Sequence, residues 1–527
     1  MVSFSHRQLT LTPEGLTVQP AHPRRTMTTI KISDGIIKDD ILVVGLSIKT
    51  AKGSLQIESG DLALETKALL ASLNDLGATG KSDEVILIPG TNTRLIAFTG
   101  LGKAESVYND EVLRRAAGAA ARAVAGNSSA TFALPAKSAA AVKAVAEGAA
   151  LGAYLFDQFR GSTKSAQKSP LKSITVYSSL VNGAQAKALA EHAGVIAKYT
   201  TTVRDLVNTP PSHLTPDSFC KIMSEVVKEA GGAALGLKVT ILNESQLKSK
   251  GYGGITAVGQ GSANPPRLLH ISYQPKGVKA KKKYAFVGKG ITFDTGGLAL
   301  KPALGMEAMK SDMAGAAAIS AAAVAIAVLK IPVAIDAWAP LAENMVSDNA
   351  TRPSDIITMY GGKTVEVLNP DAEGRLVLGD ALVKAQEAED LDGIIDVATL
   401  TGAQLIALGK RTSAVMTNNN EFSQHFMEMT ARSGEAFWPM PLPVELRASL
   451  DSPSADMANI GERMGGMLVA GLFLKDFVSD ELPWLHLDIA GPAYNDDKPH
   501  GYTPLGGTGV ALRSLIELTL DAGQEAS

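Results

Sequence analysis

Three short segments of this sequence hold acidic and basic residues at spacings that chemistry can use. In the first, the apolar run Tyr284-Ala285-Phe286-Val287 leads into Gly288-Lys289-Gly290-Ile291-Thr292-Phe293-Asp294-Thr295-Gly296-Gly297, with Lys301 just beyond. In the second, Met309-Lys310-Ser311-Asp312-Met313 stands at the entrance to an uncharged, alanine-rich stretch. The third is Asn369-Pro370-Asp371-Ala372-Glu373-Gly374-Arg375-Leu376, which follows a strand-like run over residues 364–368.

Each segment admits more than one reading. The glycines of the first suit a phosphate cradle, but Gly290 follows Lys289 where a phosphate loop needs Ser or Thr. Phe293-Asp294-Thr295-Gly296 also resembles the signature of aspartic proteases, which need two such carboxylates sharing a proton; no second Asp-Thr-Gly or Asp-Ser-Gly occurs. The remaining reading makes Asp294 a hard oxygen ligand for a metal. Asp312 fits an N-cap of the helix that follows it, satisfying orphaned backbone N–H groups. Asp371 and Glu373 at i and i+2 project to one side of an extended segment, and Arg375 continues that face. Charge clusters are usually solvated surface, yet this one lies between an apolar strand and the helical run 376–388.

None of the eight histidines forms His-x-x-x-His or His-Glu-x-x-His. A thermolysin-type zinc site is therefore excluded, and any metal centre must be rich in oxygen. Four carboxylates in one small site need compensation, which two divalent cations would provide. A lysine ligand would have to be a neutral amine, its pKa strongly lowered by the adjacent cations.

The elements that must hold these residues form two α/β units. From Ile41 to about Ser178, strand-like runs (41–44, 84–88, 95–98 and 173–176) alternate with alanine-rich helical stretches at 111–125 and 138–159. One long helix over 184–207 stops before Asn208-Thr209-Pro210-Pro211. Beyond it, strands and helices alternate again, the pattern of a larger domain with a mixed, largely parallel central sheet. Chemistry in such sheets gathers beyond the carboxyl ends of the strands. The expected division is a polar extension over 1–26, taken as disordered, an N-terminal α/β domain over 27–182, a connecting helix over 183–208 and a catalytic domain over 209–527.

The length of 527 residues exceeds the ~250–300 at which single cores stop growing, in keeping with two domains. A net charge of −3 gives no global drive towards nucleic acid or anionic membrane. Cys220 is the only cysteine, so no intrachain disulfide forms. No apolar stretch of secretory type follows His6 and Arg7, and the uncharged run 314–329 is shorter than the ~18–20 residues that span a bilayer. A cytoplasmic protein with no membrane association is expected.

Taken together, the segments 288–297 and 369–376 resemble the two signatures of the leucyl (cytosol) aminopeptidase family. Further matches run in that family's order across roughly residues 200–515: Arg204-Asp205-Leu206-Val207-Asn208-Thr209-Pro210-Pro211, Gly259 to Arg267, Ala398-Thr399-Leu400-Thr401-Gly402-Ala403, and His486-Leu487-Asp488-Ile489-Ala490-Gly491. The N-terminal half is similar only in general character, to the family's smaller macro-like α/β domain.

The resemblance implies Lys289, Asp294, Asp312 and Glu373 around one divalent ion (Mn2+ or Zn2+) and Asp294, Asp371 and Glu373 around the other. It implies Lys301 as the group that stabilises the oxyanion and Arg375 as the holder of a bicarbonate ion. It implies Met309, Thr399, Leu400 and Gly402 as contacts for the substrate, peptides with Leu or another apolar residue at the N-terminus. The family pattern usually has Thr at Pro370 and Ser at Thr295; Pro370 fixes φ beside a ligand, and since proline favours an extended geometry the change is expected to be tolerated, with altered metal affinity the alternative. A homohexamer, a dimer of trimers, is implied as well. Some relatives bind DNA; here the only concentrated basic run, Lys279-Ala280-Lys281-Lys282-Lys283, reads as a solvated lead-in to a strand.

Overall fold

The computed structural model describes residues 28–35, 39–49 and 53–524. The extension expected over 1–26 lies outside the described residues. The N-terminal unit runs β1 (Thr29–Ser33), β2 (Ile41–Ile48), β3 (Leu55–Glu58), α1 (Lys67–Asp75), β4 (Val85–Pro89), β5 (Leu95–Lys103), α2 (Asp110–Ala123), β6 (Ser129–Ala133), α3 (Ala139–Gly152) and β7 (Ser173–Tyr177). Its sheet has the order β1-β7-β6-β2-β5-β4, with β3 paired to β2. Strands β1, β7, β6, β2 and β5 are mutually parallel, while β3 and β4 run against them. Strand β2 is buried up to Ser47, as expected of a strand covered on both faces.

Helix α3 is shorter than the alanine-rich run suggests, ending at Gly152 and not near Phe159. Alanine favours a helix but supplies no stop. The stop comes from a distant partner: Tyr154 leaves the helix and donates its hydroxyl to Asp205 at 2.8 Å. That aspartate lies on α4 (Gly183–Asn208), the long helix joining the two units.

The second unit comprises α5 (Pro216–Ala230), β8 (Leu237–Leu242), α6 (Glu244–Ser249), α7 (Gly253–Gly259), β9 (Arg267–Tyr273), β10 (Lys283–Gly288), β11 (Gly290–Asp294), α8 (Ala314–Val328), β12 (Ala334–Asn344), β13 (Asp355–Thr358) and β14 (Thr364–Val367). It continues with α9 (Gly374–Ala385), β15 (Gly393–Ala398), α10 (Gly402–Leu408), β16 (Ser413–Thr417), α11 (Asn420–Ser433), β17 (Phe437–Pro439), β18 (Met457–Ala458), α12 (Gly466–Lys475), β19 (Trp484–Asp488) and α13 (Leu512–Gln524). The main sheet has the order β17-β16-β19-β15-β10-β12-β9-β8, and β11 extends it alongside β12. Its centre, β19-β15-β10-β12, is parallel, and antiparallel pairs lie towards the edges. The chain is thus a two-domain α/β protein with a mixed, largely parallel central sheet.

Parallel strands bring their carboxyl ends to one edge. Here that edge collects Lys289 after β10, Asp294 at the end of β11, Asn344 at the end of β12, Thr399 after β15 and Asp488 at the end of β19. Helix α8 lies against this centre with every residue but Val328 buried. It is a core helix. Its small side chains permit close approach: a Cβ built on Gly315 would lie 2.0 Å from the carbonyl oxygen of Val397 on β15.

Candidate active site

At the sheet edge, Lys289, Asp294, Asp312 and Glu373 converge, each at most 5% exposed. Asp371 lies beside them, half-buried. The Lys289 ammonium stands between two carboxylates, 2.9 Å from Asp312 Oδ2 and 2.8 Å from Glu373 Oε1, and donates to the Thr399 carbonyl at 3.0 Å. Lys301 bridges the other pair, 2.7 Å from Asp294 Oδ2 and in contact with Asp371 Oδ1. Both lysines are desolvated, which disfavours their charge. The facing carboxylates outweigh this and raise both pKa values above the ordinary lysine range, Asp312, Glu373 and Asp294 acting on Lys289 and Asp294 and Glu373 on Lys301.

The acids are shifted upward as well, which disfavours their charged form. Burial and then neighbouring negative charge raise Asp312, Glu373 and Asp371 above the usual carboxylate range, although the lysines pull them down. Two ammonium groups cannot neutralise four carboxylates, so the site carries a surplus of negative charge in a poorly solvated place. Oxygen atoms of Asp294, Asp371 and Glu373 lie within 4.8 Å of one another. Asp312 Oδ2 and Glu373 Oε1 are buried and, although close to Lys289, receive no hydrogen bond in proper geometry. Clustered hard oxygens, unsatisfied acceptors and surplus negative charge fit divalent cations.

Local structure explains how each group is held. The Asp294 side chain is fixed through Oδ1, which accepts from Gly296 N–H and from Asn344 Nδ2, both at 2.8 Å. Asp312 does not cap α8: the cap position is Met313, with no side-chain cap bond. Its Oδ1 instead accepts from Thr399 Oγ1 at 2.7 Å. Asp371 and Glu373 do not lie on an extended segment either. Residues 369–372 form a turn closed by Ala372 N–H to the Asn369 carbonyl at 3.1 Å. Pro370 takes the second turn position, where its fixed φ is favoured and no N–H is required. The Pro370 carbonyl accepts from Asn344 Nδ2 at 3.1 Å.

Arg375 does not continue a strand face; it sits in the first turn of α9, 8% exposed, with Nη1 donating to the Asn459 carbonyl at 2.8 Å. Burial lowers its pKa to about 10, against Glu373 and Asp488, so the guanidinium stays charged at neutral pH. Its Nε has no partner. The cradle for Lys289 depends on Gly374, where a Cβ would stand 2.6 Å from both Cε and Nζ of that lysine.

The remaining candidates are Met309, Thr399, Leu400 and Gly402. Leu400 N–H and Thr401 Oγ1 donate to Asp488, at 3.1 and 2.8 Å, fixing the loop that presents Thr399. Gly402 opens α10, with no atom within 4 Å of where its side chain would begin. Met309 is half-buried in the 3-10 turn Met306–Ser311 and its carbonyl accepts from Asp312 N–H at 3.2 Å.

Sequence reasoning missed two amides. Asn344 ties Asp294 to Pro370. Asn459 accepts from Leu368 and Asn369 N–H through Oδ1 and donates to the Asn369 carbonyl through Nδ2, so it holds the turn that carries Asp371. Neither residue stands at a telling spacing; only the position of Asn344 at the end of a strand offered a signal. The basic run expected to be solvated takes part in pairs, with Lys282 3.2 Å from Asp392.

Comparison with known proteins gives a consistent result across both domains. The model for the catalytic domain of the cytosol aminopeptidase family matches residues 201–516, and that for its N-terminal domain matches 43–163. A probable cytosol aminopeptidase of Streptomyces coelicolor is 48% identical over 516 residues, covering 93% of this chain and 98% of the relative. One from Mycobacterium leprae is 46% identical over 463 residues, 86% of each chain. Among solved structures, a mutant of tomato leucine aminopeptidase superposes with a TM-score of 0.83 at 30% identity, covering 96% of this chain and 99% of that one. The bottromycin maturation enzyme BotP in complex with Mn gives 0.79 at 36% identity, covering 92% and 100%.

Proposed function

Because this chain belongs to the cytosol aminopeptidase family and is a metal-dependent aminopeptidase, we propose that it releases N-terminal residues, preferably Leu and other apolar ones, from peptides at the site between Lys289 and Arg375. A divalent metal is its cofactor. We assign Lys289, Asp294, Asp312 and Glu373 to one ion and Asp294, Asp371 and Glu373 to a second, with Mn2+ or Zn2+ as the metal. Bound there, the ions supply Lewis acidity and an activated water, and bicarbonate supplies a base.

The chain's own residues do the rest. Lys301 is charged, and its side chain is about one-fifth exposed (21%), so it can reach a substrate carbonyl and stabilise negative charge developing on its oxygen. Arg375 keeps a buried positive charge with a free Nε, which suits a bound bicarbonate ion. Met309, Thr399, Leu400 and Gly402 form the wall for the first substrate residue, and the open space at Gly402 leaves room for an apolar side chain.

The observation that carries this reading is the convergence of Asp294, Asp371 and Glu373 within 4.8 Å beside unsatisfied oxygens of Asp312 and Glu373. The test is metal content and hydrolysis of leucine p-nitroanilide before and after chelation. Two ions per chain, with activity lost on chelation and restored by Mn2+ or Zn2+, support it. A content well below two ions, with activity indifferent to Lys289→Ala, contradicts it.

A cytoplasmic homohexamer belongs to the same reading. Its support is a set of exposed apolar side chains, Leu304 (94%), Ile406 (89%), Val444 (82%) and Met464 (77%), which neighbouring copies would cover. Sedimentation velocity distinguishes a hexamer from the single chain.

A further inference from the structure

A second cavity, about 260 Å3 in volume, opens at the seam between the two domains. None of the residues assigned to the peptidase site lines it. One wall comes from α2 and α4, the other from residues 410–412, 434–436 and 492–513, including the start of α13. Its charged lining comprises Arg115, Arg204, Lys410, Arg411 and Arg513 against Glu111, Glu435 and Asp497.

Most of these charges are committed elsewhere. Arg204 spends its donors on the carbonyls of Leu151, Tyr502 and Thr508. Lys410 pairs with Asp496 at 2.7 Å. Glu435 Oε2 accepts from Ser514 N–H and Oγ, and Glu111 accepts from Tyr502 and pairs with Arg114.

Three cations are left under-used. Arg513 is only 6% exposed, donates through Nη2 to Tyr502 at 2.6 Å and stands 3.6 Å from Glu435 through Nε, but its Nη1 has no partner. A buried, charged donor left unmatched is expensive, on the order of 1–3 kcal/mol or more. Arg411 is exposed and makes no ion pair among the described residues, and Arg115 has only a distant acid, Asp83 at 3.9 Å. Burial lowers the pKa of His500 on the same wall, and the charges of Arg411 and Arg115 add to that.

We propose that this cavity binds a compact dianion, inorganic phosphate or the phosphate end of a small metabolite, clamped by Arg513, Arg411 and Arg115. Guanidinium groups lining one cavity from different elements suit a tetrahedral oxyanion with several acceptor oxygens. The volume leaves room for a small organic portion beside the phosphate. Since Arg115 belongs to the N-terminal domain and Arg411 and Arg513 to the catalytic one, a bound dianion ties the two together.

The experiment is calorimetric titration and thermal unfolding of the metal-loaded enzyme with inorganic phosphate and, separately, glycerol phosphate, at constant ionic strength. The comparison is with the double variant Arg115→Ala/Arg411→Ala, whose substitutions lie at exposed or half-exposed positions away from the peptidase site. The expected result is saturable binding that raises the melting temperature, at least tenfold weaker in the double variant, with leucine p-nitroanilide hydrolysis in phosphate-free buffer unchanged. Tighter binding of glycerol phosphate than of phosphate identifies an organic phosphate as the ligand; equal binding identifies the free ion. Equal affinity in the wild type and the variant, which places the anion at the metal centre, overturns the proposal. So does the absence of saturable binding up to about 20 mM, far weaker than a millimolar site would show.

Discussion

Replacing Gly374 with Ala presses a methyl group against Lys289 without changing any charge in the site. The added Cβ would lie 2.6 Å from Lys289 Cε and Nζ, whereas comfortable contacts are ~3.5–4.0 Å. The lysine end must therefore retreat by about 1 Å. It is 3% exposed and has no route to solvent. Its contacts at 2.8 Å to Glu373, 2.9 Å to Asp312 and 3.0 Å to the Thr399 carbonyl would then exceed good hydrogen-bond length. Weakened charge-assisted bonds cost about 1–3 kcal/mol, while alanine in place of glycine at a helical position returns up to ~1 kcal/mol. Stability should hence fall by no more than about 3 kcal/mol. A misplacement of ~1 Å among reacting groups, by contrast, costs on the order of 10²-fold in rate. The assay pairs kcat on leucine p-nitroanilide and metal content with calorimetric melting. A variant with full metal content and kcat within about twofold of wild type, well short of that 10²-fold loss, would refute the view that Lys289 must occupy this position.

Three further outcomes follow from the same physics. Asn344→Ala removes the donor shared by Asp294 and Pro370; stability should fall by about 1–3 kcal/mol and metal affinity with it, as equilibrium dialysis would register. Burial raises the pKa of Asp380 to about 7, although the N–H groups of Tyr360 and Ile255 donate to it at 2.8 and 2.9 Å. A carboxyl raised in the folded state contributes stability that is complete below its unfolded value near 3.8 and is lost as pH climbs through about 7. In Asp380→Asn that decline between about pH 4 and 7 should flatten in melting curves, though one N–H loses its acceptor at every pH; an unchanged slope contradicts the assignment. Burial also pushes the Cys220 thiol up to about 12, so iodoacetamide should leave the native protein unmodified and react only on unfolding. Prompt labelling of the native state would show that the thiol is reached.

The acids and lysines of the site were legible because charged residues at the ends of apolar strands are seldom spent on solvation alone. The central β-α alternation was equally plain. What escaped has identifiable causes. Period two predicts an extended segment at Asp371, but Asn369-Pro370-Asp371 has the composition of a turn, with Pro at the second position, and turn chemistry governs there. Asp312 resembled a helix cap because Asp before an apolar helix usually is one, and only Thr399, from a distant strand, shows why it faces elsewhere. Asn344 and Asn459 carry no charge and recur at no spacing, so their role in holding Asp294 and the 369–372 turn arises purely from tertiary contact. Likewise α3 ends where it does because Asp205 needs a donor, a demand invisible in an alanine run.

Helix α8 acts as a spacer of fixed thickness. Where it meets the strands that lead to Lys289 and Thr399 it presents Gly315 and Ala316: Ala316 N–H donates to the Lys289 carbonyl at 2.8 Å, and a Cβ at Gly315 would stand 2.0 Å from the Val397 carbonyl oxygen. A larger apolar residue would suit the helix's hydrophobicity and still push those strands apart. A substitution in this part of α8 is therefore limited by size and not by polarity, whereas the largely exposed segment 298–305 can take side chains of other sizes.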